Sequence, residues 1–389
     1  EAVRRYPNDP ELWYMLGDAR YHAGVFGGLQ PPASLDAFNR AIALDSTFTP
    51  SYVHAIPLAL EYGGTEVSRR YAKAFLAAGA RGSYAQSTNL VLRLFDPATH
   101  DQALRFLADS ADPHVVQTVW IAISRWTDSA ETLVSLMRAV ADKQKVKGKP
   151  TQFEIFGFPL ALAARGHVRE AWAVAQLPVL LSQFAVAGAV PIDSAAKAAH
   201  SWLGRPEGGT MFAIPIFAAA HDTAALDRAI RSVDSVRQKP PANAPPIARE
   251  ILSYLAVTVR AYAALARGDT VRALALFDSR PDTACFNACL IDDLVHIQLL
   301  AARHRDTEAA ARLERPLLGF SGAALPVDVL RALERGRINE RLGNNELAIS
   351  GYSFVVRAWR NPDPELEPLV KEARAGLARL TTEQRKSGG

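Results

Sequence analysis

Apolar residues along the 389-residue chain recur at spacings of three and four, and each such stretch is closed by a short polar turn. No stretch sustains apolar–polar alternation of period two between hairpin turns, so the pattern predicts an all-α chain. One turn signature recurs at the start of Ala-rich amphipathic segments. It reads Gly166-His167-Val168-Arg169-Glu170-Ala171, His221-Asp222-Thr223-Ala224-Ala225-Leu226 and Gly268-Asp269-Thr270-Val271-Arg272-Ala273. It returns as Arg305-Asp306-Thr307-Glu308-Ala309-Ala310 and as Gly343-Asn344-Asn345-Glu346-Leu347-Ala348. Successive copies lie 55, 47, 37 and 38 residues apart, and Gly24 and Gly63, 39 apart, look like the same punctuation.

This signature describes a helical hairpin. Glycine takes the left-handed backbone that ends one helix, and Asp, Asn or Thr caps the next by accepting from its free amides. Alanine follows where two helices must approach closely. A hairpin leaves one apolar face uncovered, so neighbours stack, and the stack grows as an α-α solenoid. Residues 25–33, 143–150, 203–210 and 238–246 are rich in Pro, Gly or Lys and read as insertions between helices. The basic stretch 143–150 divides the chain into residues 1–142 and 151–389, which the resumption of helical pattern joins as one superhelical array. About nine to eleven hairpins of roughly 34–40 residues are expected.

Trp13-Tyr14-Met15-Leu16-Gly17, with Tyr21 a turn later, resembles the first helix of a tetratricopeptide repeat, and residues 37–45 resemble its second helix. Tyr21 falls one position late, and the intervening loop is longer than the family pattern. Arg341-Leu342-Gly343-Asn344 followed by Ala348-Ile349-Ser350-Gly351-Tyr352 is similar again; between about 80 and 150 only helical periodicity supports a repeat. The ending, from Glu340-Arg341-Leu342-Gly343 through Ala358-Trp359-Arg360-Asn361-Pro362 to Leu380, resembles the C-terminal repeat region of large bacterial signalling proteins. Those proteins carry a serine/threonine kinase or transcriptional-activator domain at the N-terminus. The chain opens on what reads as the tail of a helix, so an effector domain is expected outside it.

The resemblance implies a concave groove that binds protein or peptide segments. Carried onto this sequence, its lining is Tyr14, Asp18, Tyr21 and His22 in the first repeat. In the middle it is Thr258, Tyr262 and Leu265, and in the last repeat Leu333, Arg337, Glu340 and Arg341. The set lacks the Lys/Asn clamp by which some members hold a free carboxylate terminus.

Composition narrows the picture. Forty-four basic against forty acidic residues leave a net charge of +4, too dilute for a nucleic-acid surface. The best candidate membrane segment, residues 177–192, is interrupted by Pro178, Ser182 and Gln183, so no direct membrane insertion is expected. The nine histidines are scattered, and the nearest pair, His296 and His304, reads as surface or core rather than as metal ligands. There is no nucleophile elbow, phosphate loop or kinase motif. The acids Asp292-Asp293 and Asp363/Glu365/Glu367 read as a solvated face or a helix start. Lys143, Lys145, Lys147 and Lys149 read as a solvated loop. No enzyme, cofactor or metal is expected.

Cys285 and Cys289 are the two cysteines. They form either a small disulfide, implying an extracytoplasmic location, or two buried thiols in a cytoplasmic protein. The expected function is a non-catalytic interaction or sensing scaffold; the alternative is a structural subunit built into a larger assembly through its loops and edges.

Overall fold

The computed structural model describes residues 1–23, 31–109, 112–124, 130–147, 152–203, 209–239, 246–280, 288–314 and 326–387. Among them every regular element is an α-helix, and successive helices pack as hairpins, an all-α solenoid architecture. The described residues through Arg165 form one compact unit, and those from Gly166 onward form a second.

The first unit runs α1 (Ala2–Arg5), α2 (Pro10–Ala23), α3 (Pro31–Leu44), α4 (Pro50–Ala77), α5 (Gly82–Leu94), α6 (His100–Asp109), α7 (Pro113–Ile123), α8 (Ala130–Lys147) and α9 (Gln152–Ala164). Helices α2 and α3 pair, and both rest on α4; α4 in turn meets α5 and α7. A Cβ at Gly17 would lie 2.7 Å from the Phe38 ring, so glycine is what lets α3 press its aromatic onto the α2 backbone. Helix α9 packs on α8, and the chain divides after Arg165, not at the basic stretch 143–150. That stretch was expected to be a loop. Its backbone instead continues α8 through Lys147, because Lys and Gln are good helix formers and the breakers come only at Gly148 and Pro150. Lys149 and Gly24 lie outside the described residues.

The second unit runs α10 (Val168–Val174), α11 (Pro178–Val186), α12 (Ile192–His200), α13 (Gly209–Ala219), α14 (Thr223–Gln238), α15 (Pro246–Ala266) and α16 (Thr270–Asp278). It continues through α17 (Ala288–Ala302), α18 (Asp306–Leu313), α19 (Pro326–Leu342), α20 (Asn345–Ala358) and α21 (Glu367–Ser387). The predicted turns are present: Gly166, Gly268 and Gly343 take positive φ, as do His221 and His304 in the turns that lack glycine. Asp222 and Asp269 cap the following helices, accepting from the amides of Ala225 at 2.8 Å and Arg272 at 3.0 Å. Gly63 marks no hairpin turn. At its neighbour Gly64 (φ 75°) the backbone leaves helical geometry, and α4 kinks there.

Within this unit α11, α13, α15, α17, α19 and α21 form a row in which α11 meets α13, α13 meets both α15 and α17, α17 meets α19, and α19 meets α21. The row also closes on itself, because α11 packs against α17 and α19. The amide of Val327 donates to Gln183 Oε1 at 3.0 Å, and the amide of Asp363 donates to the Gly166 carbonyl at 2.9 Å. Arg169 seals the same seam, its amide donating to Asp363 Oδ2 at 2.7 Å and its guanidinium to Glu365 at 2.5 and 2.9 Å. An open groove running the length of a superhelix was expected. In this unit the first and last hairpins meet instead.

The last hairpin repeats the interlock of the first. A Cβ at Gly336 would lie 2.5 Å from the Tyr352 ring, and Gly376 of α21 backs the other side of that ring. Gly351 faces backbone alone: a Cβ there would lie 2.6 Å from the Ala332 carbonyl oxygen and 2.7 Å from the Gly336 nitrogen. Main chain cannot rotate away as a side chain can, so Gly351→Ala is expected to destabilise the protein by about 1–3 kcal/mol. Denaturant unfolding against Ser350→Ala, its exposed neighbour, checks this; equal stability of the two variants refutes the close approach.

Candidate functional site

The residues assigned to a groove in the first repeat come together in space. Asp18, Tyr21 and His22 follow one another along one side of α2, and the kinked helix α4 brings His54 against them. The Tyr21 ring stacks on the His54 imidazole, with centroids 4.1 Å apart and planes at 18°, and meets His22 edge-on at 5.1 Å. Nε2 of His22 and Nε2 of His54 lie 3.2 Å apart, and Asp18 Oδ1 lies 3.6 Å from the first and 3.4 Å from the second. Beneath them Phe38, Ala55 and Leu58 form a small core that fixes the two helices.

Burial, and then the neighbouring His22, push His54 down to about 4 against the pull of Asp18, so it is a neutral imidazole at pH 7. Tyr14 stands at the edge of the group, edge-on to Phe48 at 5.6 Å, its hydroxyl pushed above its usual range by burial and by Asp18. His54 was not among the expected residues. An i, i+4 Asp–His pair on α2 was the available signal, with a second histidine 32 residues on.

His54 also lines a cavity of about 220 Å³ between α4, α5 and α7. Val53, Val91 and Ile121 supply apolar wall, and Tyr84, Gln117 and Thr118 supply polar groups. The Tyr84 ring stands edge-on to His114 at 5.8 Å.

The residues assigned to the groove in the second unit do other work. Tyr262, 2% exposed, is buried, and its hydroxyl donates to Asp292 Oδ1 at 2.8 Å. It belongs to a polar core in which the Tyr254 hydroxyl donates to Asp292 Oδ2 at 2.9 Å and receives a bond from Arg280 at 2.8 Å. Burial raises the Asp292 carboxyl above its usual range, against Arg280 and the two tyrosines. The pair Asp292-Asp293 is therefore not a solvated face: the two acids point apart, and each meets buried partners. Thr258 and Leu333 are buried as well.

Arg337 grips Glu372 of α21 at 2.5 and 2.6 Å and Glu334 at 2.8 Å. Glu340 accepts from Arg379 at 2.8 and 3.0 Å and from the Tyr352 hydroxyl at 2.7 Å, contacts that hold its carboxyl below the usual range. Arg341 reaches back to Asp306 of α18 at 2.6 and 3.0 Å. These three side chains pin one hairpin to the next. His296 is a satisfied core histidine, stacked on Phe277 and bonded to Asp278 at 2.8 Å.

Cys289, buried at the start of α17, is held in a disulfide; Cys285 lies outside the described residues. No helix among the described residues is long and apolar enough to cross a membrane. No protein-family model matches the chain, and no curated protein matches its sequence.

Proposed function

We propose that the chain is a non-catalytic interaction or sensing scaffold of tetratricopeptide type, part of a larger bacterial signalling protein, that binds a protein or peptide segment through its first unit. The cavity between α4, α5 and α7 carries this reading. Its wall joins apolar surface from Val53, Val91 and Ile121 to hydrogen-bonding groups of Gln117, Thr118 and His114. Peptide recognition needs that combination, an apolar seat for side chains beside polar groups that fix the backbone. Tyr84, 44% exposed, adds a rigid aromatic of the kind that dominates binding energy at such sites. The second unit supports the same placement, since Arg337, Glu340 and Arg341 are already engaged within the array. The disulfide at Cys289 supports an extracytoplasmic location.

Selection of a displayed random-peptide library on the intact chain tests this. Peptides so obtained are expected to lose at least tenfold in affinity, about 1.4 kcal/mol, for Tyr84→Ala with Gln117→Ala, and nothing for Arg337→Ala with Arg341→Ala. Equal binding to the Tyr84/Gln117 variant removes the cavity from the proposal. Failure to select any peptide counts against the interaction reading itself.

A further inference from the structure

The three polar atoms of the α2–α4 cluster converge closely enough to share one ion. Bonds of about 2.0–2.1 Å from zinc to nitrogen or oxygen in a tetrahedral site place any two ligand atoms roughly 3.3–3.4 Å apart. The observed separations are 3.2 Å between the two imidazole nitrogens and 3.4 and 3.6 Å from them to Asp18 Oδ1. The imidazoles lie at hydrogen-bond distance from each other and Asp18 stands at ion-pair range of both, contacts that a shared ion would replace. We propose that Asp18, His22 and His54 bind one zinc ion through Oδ1, Nε2 and Nε2, with a fourth position left for water or another ligand.

The donor set fits the ion. Two imidazoles and one carboxylate suit zinc and its neighbours in the transition series, whereas calcium and magnesium seek all-oxygen shells. The support is built as well. Tyr21 stacks on one imidazole and meets the edge of the other, acting as a positioning residue for both rings. Two ligands come from adjacent turns of α2 and the third from α4, whose contact is fixed by the Phe38, Ala55 and Leu58 core. Three protein ligands leave the ion a fourth position, unlike closed structural sites in which the protein supplies all four. His54 is shared with the neighbouring cavity, so the ion and an occupant of that cavity would contact the same side chain.

Calorimetric titration of the untagged intact chain with zinc chloride tests the site. One zinc per chain is expected, with magnesium and calcium failing to compete. His22→Ala and His54→Ala should each weaken binding at least tenfold, and Asp18→Asn less. Titration with cobalt(II) should give the intense visible bands of a four-coordinate site, lost in the His22→Ala/His54→Ala double variant. Far-ultraviolet dichroism of that variant should match the parent, which separates loss of ligands from loss of fold. If the double variant misfolds, Asp18→Asn and the cobalt spectrum of the parent carry the test. Absence of stoichiometric zinc binding overturns the proposal, as does equal affinity in the parent and a folded double variant.

Discussion

Asp293→Ala is expected to destabilise the second unit by about 3–5 kcal/mol, because it strips a buried carboxylate from two guanidinium groups that stay behind. Asp293 is 8% exposed and Arg331 7%. Its two oxygens are divided between Arg312 of α18, with Nε at 2.5 Å, and Nη1 of Arg331 of α19, so one side chain on α17 ties together three successive helices. Arg331 also donates to the Leu313 carbonyl at 3.3 Å, which holds it in place when its partner is removed. The charge is then neither paired nor hydrated. For a unit of this size the loss corresponds to a fall of roughly 10 °C in thermal midpoint. Replacing the triad together, Asp293→Leu with Arg312→Leu and Arg331→Met, should recover a large part of it, since a buried ionic cluster exchanged for apolar groups of similar volume costs little. A loss under about 1 kcal/mol in Asp293→Ala would show that solvent reaches the triad.

The local parts of the fold were legible because they have local causes. Gly268-Asp269 and Gly343-Asn344 end one helix and begin another for reasons contained in four residues, and the structure has those turns. The polar staples were legible in principle through a different signal, repeat spacing. Arg337 and Glu372 are 35 residues apart, Arg341 and Asp306 35, Tyr254 and Asp292 38, and Arg331 and Asp293 38. Each pair lies about one repeat apart, where stacked hairpins put side chains of matching register face to face. Groove positions and staple positions share the same helices, so helical register alone does not separate Arg337 as a binding residue from Arg337 as a clasp. His54 escaped for a related reason: its partners are local to each other on α2, and it arrives from the next repeat. Closure of the second unit leaves no such trace. Gln183 and Val327 are 144 residues apart and Arg169 and Glu365 196, and no periodicity links them.

Trp359→Ala tests that closure and should cost about 3–5 kcal/mol, the usual range for emptying a fully buried large aromatic site. Trp359 is 0% exposed and ends α20 just before the turn that meets the start of the unit. A Cβ built on Gly166 would lie 3.3 Å from its ring and 2.9 Å from Pro362, so the indole fills the space beneath the seam where Asp363 and Glu365 engage Gly166 and Arg169. The surface ion pair at that seam is exposed on the Arg169 side and contributes little alone. The packed ring therefore contributes more at this seam than that ion pair does. Removing it should lower hydrogen-exchange protection in α10 and α11 along with α20, although α10 and α20 are far apart in sequence, while the first unit keeps its protection. Trp359→Phe should lose much less. It keeps an aromatic in the site and removes an indole N–H that has no hydrogen-bond partner among the described residues. If Trp359→Ala loosens α20 and α21 alone and leaves α10 and α11 protected, the two ends of the unit are stabilised independently. The ring would then be a contact between finished pieces and not part of what folds them.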